Sequence, residues 1–415
     1  MMVPTSMPMN GESRPPISSA PGTLKVLDLG RYLAGPVTAT LLGDLGAEVI
    51  KVERPGIGDL ARHVPPVPAG EDGMSYEFQV EARNKRSVTL DYSRPAGAAI
   101  LKRLVEWADI LIENFTPGTM EKWGLGYEEL RAVNPRLVYV AVSGFGRTGP
   151  YRNRPGYDYV ASAFSGLMYA TGVSDGPPTT TGYSISDLVT PAYAALGAVE
   201  AVRRRDAPGG TGRGELVDIG LYEAMLRAAT PFIPLYVREG RNRERESSRP
   251  RHDGREALAT WGYTFCTADD KWLVMMPPFN PAQRRLFSDM AGQEIPEEPI
   301  HGAPRFHAIW EAYCRTQSQA DLLDRLHAAS VPVGPVNSIA DLCADEHVRE
   351  RNLVTVPNYR GEPLTMQGVV PRLAGDPGRI RWTGEPLGAS NADVYGTLLG
   401  LSADEMEGLA ADGVL

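Results

Sequence analysis

Leu24–Glu53 reads LKVLDLGRYLAGPVTATLLGDLGAEVIKVE, and this stretch decides the fold. Leu24 to Leu29 is a short apolar run with the pattern of a buried strand. Val37, Leu41, Leu42 and Leu45 follow at helical spacing. Glu48 to Glu53 (EVIKVE) reads as a second strand and leads into Arg54. Strand, glycine turn, helix and strand make the βαβ pattern of a parallel sheet. The turn holds Gly30 and Gly35 but not GxGxxG, so the dinucleotide fingerprint is absent, although Glu53 could mimic its acidic residue.

Downstream the alternation continues. Arg86–Asp91 (RSVTLD) is strand-like, and Pro95–Ala108 is an amphipathic helix with proline at its start. Asp109–Phe115 (DILIENF) reads as a strand. Pro117–Val133 is helical, with interruptions at Gly124 and Gly126, and Leu137–Gly146 is a buried strand that enters a glycine loop. A doubly wound α/β domain is predicted through about residue 222. In such sheets ligands bind outside the carboxyl ends of the strands. Arg54, Lys122 and Arg154 are candidates to meet a phosphorylated ligand there. Each taken singly also reads as a solvated surface charge.

After Tyr222 the texture changes. Glu239–Glu256 is a dense mixed-charge run rich in arginine, the pattern of a mobile solvated loop. Thr260–Pro277 (TWGYTFCTADDKWLVMMP) predicts a hairpin turning at Ala268–Lys271. Helices are expected around Pro281–Ala291, Phe306–Cys314 and Gln319–Ala329. Together these form a second, smaller α+β unit. Val331–Asp345 looks like a return path. The remainder is turn-rich, with a short helix around Ser402–Ala411.

Composition bounds the function classes. The 415 residues suffice for roughly two or three domains, with 42% hydrophobic and 22% charged residues. A net charge of −9 argues against a nucleic-acid partner. The three cysteines form no CxxC pair, so neither a disulfide scaffold nor a zinc site is expected, and a reducing cytoplasm is the default. The six histidines form neither HxxxH nor HExxH, so no metal site is expected. No apolar run approaches the ~20 residues of a membrane span. Residues 1–22 lack a basic region followed by an apolar one, and a disordered tail is expected there.

One carboxylate stands out. Gly176–Arg205 reads GPPTTTGYSISDLVTPAYAALGAVEAVRRR, a turn, then Asp187, then a small-residue helix closed by three arginines. Basic residues suit the negative end of a helix dipole. Asp187 therefore belongs near a helix N-terminus, where two readings stand. It is an N-cap, a role Ser186 could share. Or it is a carboxylate held ionised by the dipole and free to attack an activated carbonyl.

Nine segments in order resemble one family, the class III coenzyme A transferases (CaiB/BaiF, of the formyl-CoA and carnitine-CoA transferase type). They are LKVLDLGRYLAGP, LLGDLGAEVIKVERPGIGD, NKRSVTLDYSRPAG, ADILIENFTPGTMEKWGL, NPRLVYVAVSGFGRTGPY, PGYDYVASAFSGLM, GPPTTTGYSISDLVT, TGRGELVDIGLYEAML and VPVGPVNS. The resemblance implies a large Rossmann-like domain built from residues 23–222 and 336–415, with a smaller domain inserted at 223–335. It also implies an interlocked homodimer in the cytoplasm, with CoA bound only as substrate.

The resemblance places the family's nucleophile at Asp187. The implied CoA contacts are Leu33 and Ala34, then Arg54, then Leu90, Asp91, Tyr92 and Ser93. Asn114 and Phe115 follow, then Lys122, and finally Arg154, Pro155, Gly156 and Tyr157. Leu33 stands where some members have Gln, and Lys122 where some have Arg. The implied activity moves CoA from a donor acyl-CoA to a small carboxylic acid through aspartyl anhydride and aspartyl-CoA thioester intermediates. The family covers its site with a glycine-rich loop of the small domain. No such run is found here, and the arginine-rich stretch near 239–256 lies in that region.

Two alternatives accompany this reading. The α-methylacyl-CoA racemases share the fold and pair the aspartate with a histidine in GHD, where this chain has Gly156-Tyr157-Asp158. A phenol, with its pKa near 10, is a poor substitute for that histidine. A non-catalytic partner subunit of a heteromeric transferase would be expected to lack the nucleophile. Arg249 and Arg251 are candidates for holding a second carboxylate of a dicarboxylic acceptor, with a solvated loop as the plainer reading.

Overall fold

The βαβ pattern holds in the structure, a computed structural model that describes residue 17 and residues 22–68, 73–173, 176–245, 262–298 and 303–415. The expected tail falls outside these residues apart from 17 and 22. Six strands, β1 (Lys25–Asp28), β2 (Glu48–Glu53), β3 (Lys85–Thr89), β4 (Ile110–Glu113), β5 (Val138–Ser143) and β6 (Leu216–Gly220), form the main sheet. Their order is β3-β2-β1-β4-β5-β6, and every pairing is parallel. β1 is the pivot, with Leu27 opposite Ile50 on one side and Leu111 on the other.

Successive strand residues feed opposite faces. Val26, Ile110, Ile112 and Val140 pack with the helices Ala34–Asp44 and Ile185–Asp206. Leu27, Leu111 and Tyr139 pack with the helix Pro95–Trp107 on the other side. Burial on both faces explains the unbroken apolar runs in the sequence. The chain after β1 goes to one face and the chain after β4 to the other. That leaves a crevice at the carboxyl ends of these two neighbouring strands.

The helix Ile185–Asp206 lies against the sheet through Ala194, Ala198 and Ala201, all buried. By length and composition alone it would cross a membrane, but these contacts make it a core helix. Arg205 does more than match the dipole. Its buried side chain pairs with Asp109 at 2.9 Å and donates to the Arg136 carbonyl at 2.8 Å.

One feature differs from the sequence reading: it places no strand at β6, where only the last residue is buried and polar Asp218 breaks the apolar pattern. The helical stretch over 117–133 is interrupted where its glycines stand, forming Thr119–Lys122 and Tyr127–Val133 with Gly124 at φ 66° in the break.

The chain forms two compact units. One comprises residues up to Ser165, Tyr183–Ala228 and His347–Leu415, so it draws on both ends of the chain; the other comprises Gly166–Gly182 and Ala229–Glu346. The boundaries expected from the sequence, 222 and 335, fall instead at 228 and 346, and 166–182 belongs to the second unit. In the second unit β7 (Tyr263–Cys266) and β8 (Trp272–Met275) form the expected hairpin, and β9 (Val333–Pro335) adds a third antiparallel strand. This sheet shares a core with the helices Pro304–Cys314 and Gln319–Ala328 through Phe265, Leu273, Trp310 and Leu326.

Candidate active site

The loop after β1 is held by buried charges. Asp28 accepts the Gly30 N–H at 2.9 Å, and Lys51 donates to the Gly30 carbonyl at 3.0 Å. Lys51 also pairs with Asp59 at 2.9 Å, and Asp59 in turn accepts the Tyr32 N–H at 3.0 Å. Tyr32 sits at φ 60°, a left-handed conformation that costs a side-chain-bearing residue roughly 1–2 kcal/mol. These anchors hold it there. Gly35 follows in the first helical turn, where a Cβ would stand 3.0 Å from the Gly30 Cα and 3.1 Å from the Asn114 side chain. Only a glycine keeps that approach comfortable. The helix Ala34–Asp44 has no side-chain cap and no acidic residue in its first turn, so its positive end is open to an anion.

Asn114 clasps the same loop, accepting the Arg31 N–H and donating to the Arg31 carbonyl, each at 2.8 Å. Glu113, at the end of β4, accepts the Phe115 N–H at 2.7 Å. Burial pushes its carboxyl up to about 7. Past β5 the chain returns on itself. A Cβ on Gly144 would lie 2.6 Å from the Gly156 Cα, so the two backbones touch and set Tyr157 over the strand end. The Tyr157 ring meets Tyr32 edge-on at 6.4 Å.

Asp187 stands in the first turn of Ile185–Asp206. It does not cap the helix, because the cap position belongs to Ser184, whose side chain makes no capping bond. The acceptor comes from elsewhere. Buried Asp158 receives the Ser186 N–H at 2.7 Å and the Ser186 hydroxyl at 2.8 Å. Asp158 thus fixes the helix start and leaves Asp187 uncommitted. Among the described residues no donor reaches the Asp187 carboxylate. Burial, then the negative charges of Asp158 and Glu77, push its carboxyl up to about 7. The expectation that the helix dipole keeps Asp187 ionised is corrected here, because burial and two nearby acids outweigh the dipole.

Asp187 opens into a cavity of about 230 Å³ across the ends of β1, β4, β5 and β6. Of the residues implied as CoA contacts, the cavity brings together Leu33, Ala34, Asn114, Phe115, Gly156 and Tyr157. The remaining lining, including Arg31, Tyr32, Ser143 and Leu221, was not named from the sequence. Arg31 lies in the first quoted motif, and its charge beside the glycine turn was the available signal. The other implied contacts lie outside this lining. Arg54, Ser93, Lys122 and Pro155 are exposed, and Leu90 and Tyr92 are buried. Asp91 accepts from Ser93 and Arg94, and exposed Arg154 lies over the Tyr151 ring at 3.6 Å. Arg249, Arg251 and the rest of the arginine-rich stretch beyond 245 fall outside the described residues. Among the described residues no group of three or more His, Cys, Asp or Glu is placed to hold a metal.

The family model described as CoA-transferase family III matches residues 23–391. The chain belongs to CoA-transferase family III. It is 37% identical over 403 residues to the succinyl-CoA–L-malate CoA-transferase beta subunit of Chloroflexus aurantiacus, covering 94% of this chain and 97% of the relative. It is also 37% identical over 408 residues to the succinyl-CoA–D-citramalate CoA-transferase of that organism, with the same two shares covered. The crystal structure of a CAIB/BAIF family protein from Brucella suis superposes with a TM-score of 0.77 at 31% identity, covering 90% of this chain and 98% of that one.

In this CoA-transferase the raised Asp187 value has a consequence for stability. The native state holds a proton that an unfolded chain releases near 3.8, so between there and about 7 the native state binds more protons. Ionised Asp187 therefore lowers stability above about pH 7, and the cost vanishes as pH falls toward 3.8. Asp187→Asn is expected to stabilise the protein at pH 8 by roughly 1–2 kcal/mol, a value discounted for its partial exposure, and to change little at pH 4. Urea unfolding at the two pH values checks this. Equal effects at both would contradict the assignment.

Proposed function

We propose that this CoA-transferase takes succinyl-CoA as donor and a small dicarboxylic acid as acceptor, with Asp187 as nucleophile. The observation that carries the reading is Asp187 itself, a carboxylate facing a cavity without a donor while Asp158 performs its capping role. An Asp187 oxygen attacks the thioester carbonyl and expels CoA thiolate, giving a succinyl-aspartyl anhydride. The thiolate attacks the aspartyl carbonyl and expels succinate, leaving an aspartyl-CoA thioester. The acceptor carboxylate then attacks that thioester, releasing thiolate and forming a second anhydride. Thiolate attacks the acceptor carbonyl, yielding the new acyl-CoA and free Asp187. The uncapped start of Ala34–Asp44 borders the same cavity and favours the negative charge that develops in each step.

The relatives support the substrate class, since their names pair succinyl-CoA with malate and citramalate, both dicarboxylic acids. The racemase reading needs a histidine to move the α-proton. Among the described residues the cavity lining contains none. Leu188, Tyr193, Leu196 and Val199 expose an apolar face on the Asp187 helix, and this supports a dimer. Relatives include proteins named as the beta and as the alpha subunit of a succinyl-CoA–L-malate CoA-transferase, so a homologous second chain is an alternative to a second copy. All three cysteines are unpaired, which suits a reducing cytoplasm.

The test is an acceptor panel with succinyl-CoA. Malate, citramalate and glutarate should exceed monocarboxylic acids of equal length by about tenfold or more in kcat/KM. Equal use of both classes would overturn the substrate class. Deuterium exchange at the α-carbon of a 2-methylacyl-CoA, with no transfer, would overturn the reaction.

A further inference from the structure

Among the described residues Arg31 is the one lysine or arginine of the cavity lining, and Asp187 its one carboxylic acid. The cations named from the sequence, Arg54, Lys122 and Arg154, lie outside that lining. The Arg31 backbone is fixed on both sides by Asn114. Its exposed guanidinium stands 5.0 Å from the centroid of the Phe115 ring, and its positive charge bears on the buried Tyr92 phenol. Tyr92, Phe115 and Trp123 pack edge-on at 5.6–6.5 Å, forming a wall behind it. Among the described residues Arg31 pairs with no carboxylate. A guanidinium backed by aromatic rings and lacking a counter-charge is a fork open to an anion.

Its position identifies the end of the substrate. Tyr92 and Phe115 belong to the face covered by the helix Pro95–Trp107, whereas Asp187 begins a helix of the opposite face. An anion at Arg31 therefore lies across the crevice from the reacting carboxylate, on the exposed side. A second carboxylate of the acyl group or acceptor must lie close to Asp187.

We infer that Arg31 binds a phosphate of the CoA moiety, acting as a guanidinium fork against the Tyr92–Phe115 wall. The inference rests on the CoA-transferase reading but not on Asp187 being the nucleophile. The diphosphate and the ribose phosphate offer the same chemistry, and the donor series separates them.

The experiment compares wild type, Arg31→Gln and Arg31→Lys with succinyl-CoA, succinyl-dephospho-CoA and succinyl-pantetheine. Arg31→Gln should raise KM for succinyl-CoA by about tenfold or more, with kcat changing far less, and Arg31→Lys should recover part of the loss. The preference of KM for succinyl-CoA over succinyl-pantetheine should collapse in Arg31→Gln. A penalty that persists with succinyl-dephospho-CoA places Arg31 on the diphosphate, and one that disappears places it on the ribose phosphate. Equal losses with the CoA and pantetheine thioesters would overturn the inference, as would a rise confined to the acceptor KM. Calorimetric titration with free CoA gives a readout that needs no turnover. A dissociation constant unchanged in Arg31→Gln would overturn the inference even if covalent chemistry at Asp187 had failed.

Discussion

Asp187→Asn is expected to form no covalent adduct with succinyl-CoA and to lose turnover by at least about a thousandfold. Asparagine matches the shape of aspartate but lacks the anionic oxygen that the proposed attack on the thioester requires. The substitution leaves the helix start intact, because Asp158 and Ser186 supply that bond rather than Asp187. The loss is therefore expected in kcat, with CoA affinity within about threefold of wild type. In wild type the proposed attack requires the ionised carboxylate. Adduct formation should accordingly rise with pH, reach half its plateau near the value of about 7, and fall away below it. Stopped-flow quench across that range measures both arms. Residual turnover above about a tenth of wild type would contradict the nucleophile assignment.

Lys51→Met destabilises the protein by about 3–5 kcal/mol, the effect of leaving a buried charge without its partner. Lys51 is 1% exposed and lies between Asp28 and Asp59. Burial alone would release its proton, but Asp28, Asp59 and Glu53 reverse that and raise its affinity for the proton. Methionine retains much of the stem and removes the charge. Asp28 keeps Lys85 at 2.9 Å, whereas Asp59 loses its ion-pair partner and the Gly30 carbonyl loses its donor. The Arg31–Ala34 loop then loosens at the edge of the cavity, so KM for acyl-CoA should rise alongside the loss of stability. Adding Asp59→Asn to Lys51→Met should recover part of the stability, since the stranded charge is gone. Guanidinium unfolding of the single and double variants checks this. A cost below about 1 kcal/mol for Lys51→Met would mean that water screens the cluster.

The sheet was legible because its strands are buried on both faces. LKVLDL, DILIENF and LVYVAVSGFG announce themselves by their apolar runs, and EVIKVE by its place after the first strand and helix. β6 was not, because its burial comes late and its sequence carries polar Asp218. The place of Asp187 near a helix start was legible from the small-residue run and the arginines after it. Its electrostatics were not. Asp158 lies 28 residues before Ser186, the neighbour of Asp187, Glu77 is farther still, and nothing local records that both bear on the same carboxylate. Arg31 was missed for a related reason. Its meaning depends on Tyr92 and Phe115, which arrive from two other strand ends, whereas Arg54, Lys122 and Arg154 looked equally basic and lie outside the cavity lining. Pairwise geometry across strands is what the linear pattern lacks.

The most direct measurement is mass spectrometry of the protein after brief incubation with succinyl-CoA, with hydroxylamine trapping and Asp187→Asn as control. The account predicts a mass increase on the peptide that carries Asp187, conversion of that residue to a hydroxamate by hydroxylamine, and neither change in the variant. An adduct on another residue, or none with succinyl-CoA while CoA still exchanges between acids, would contradict it.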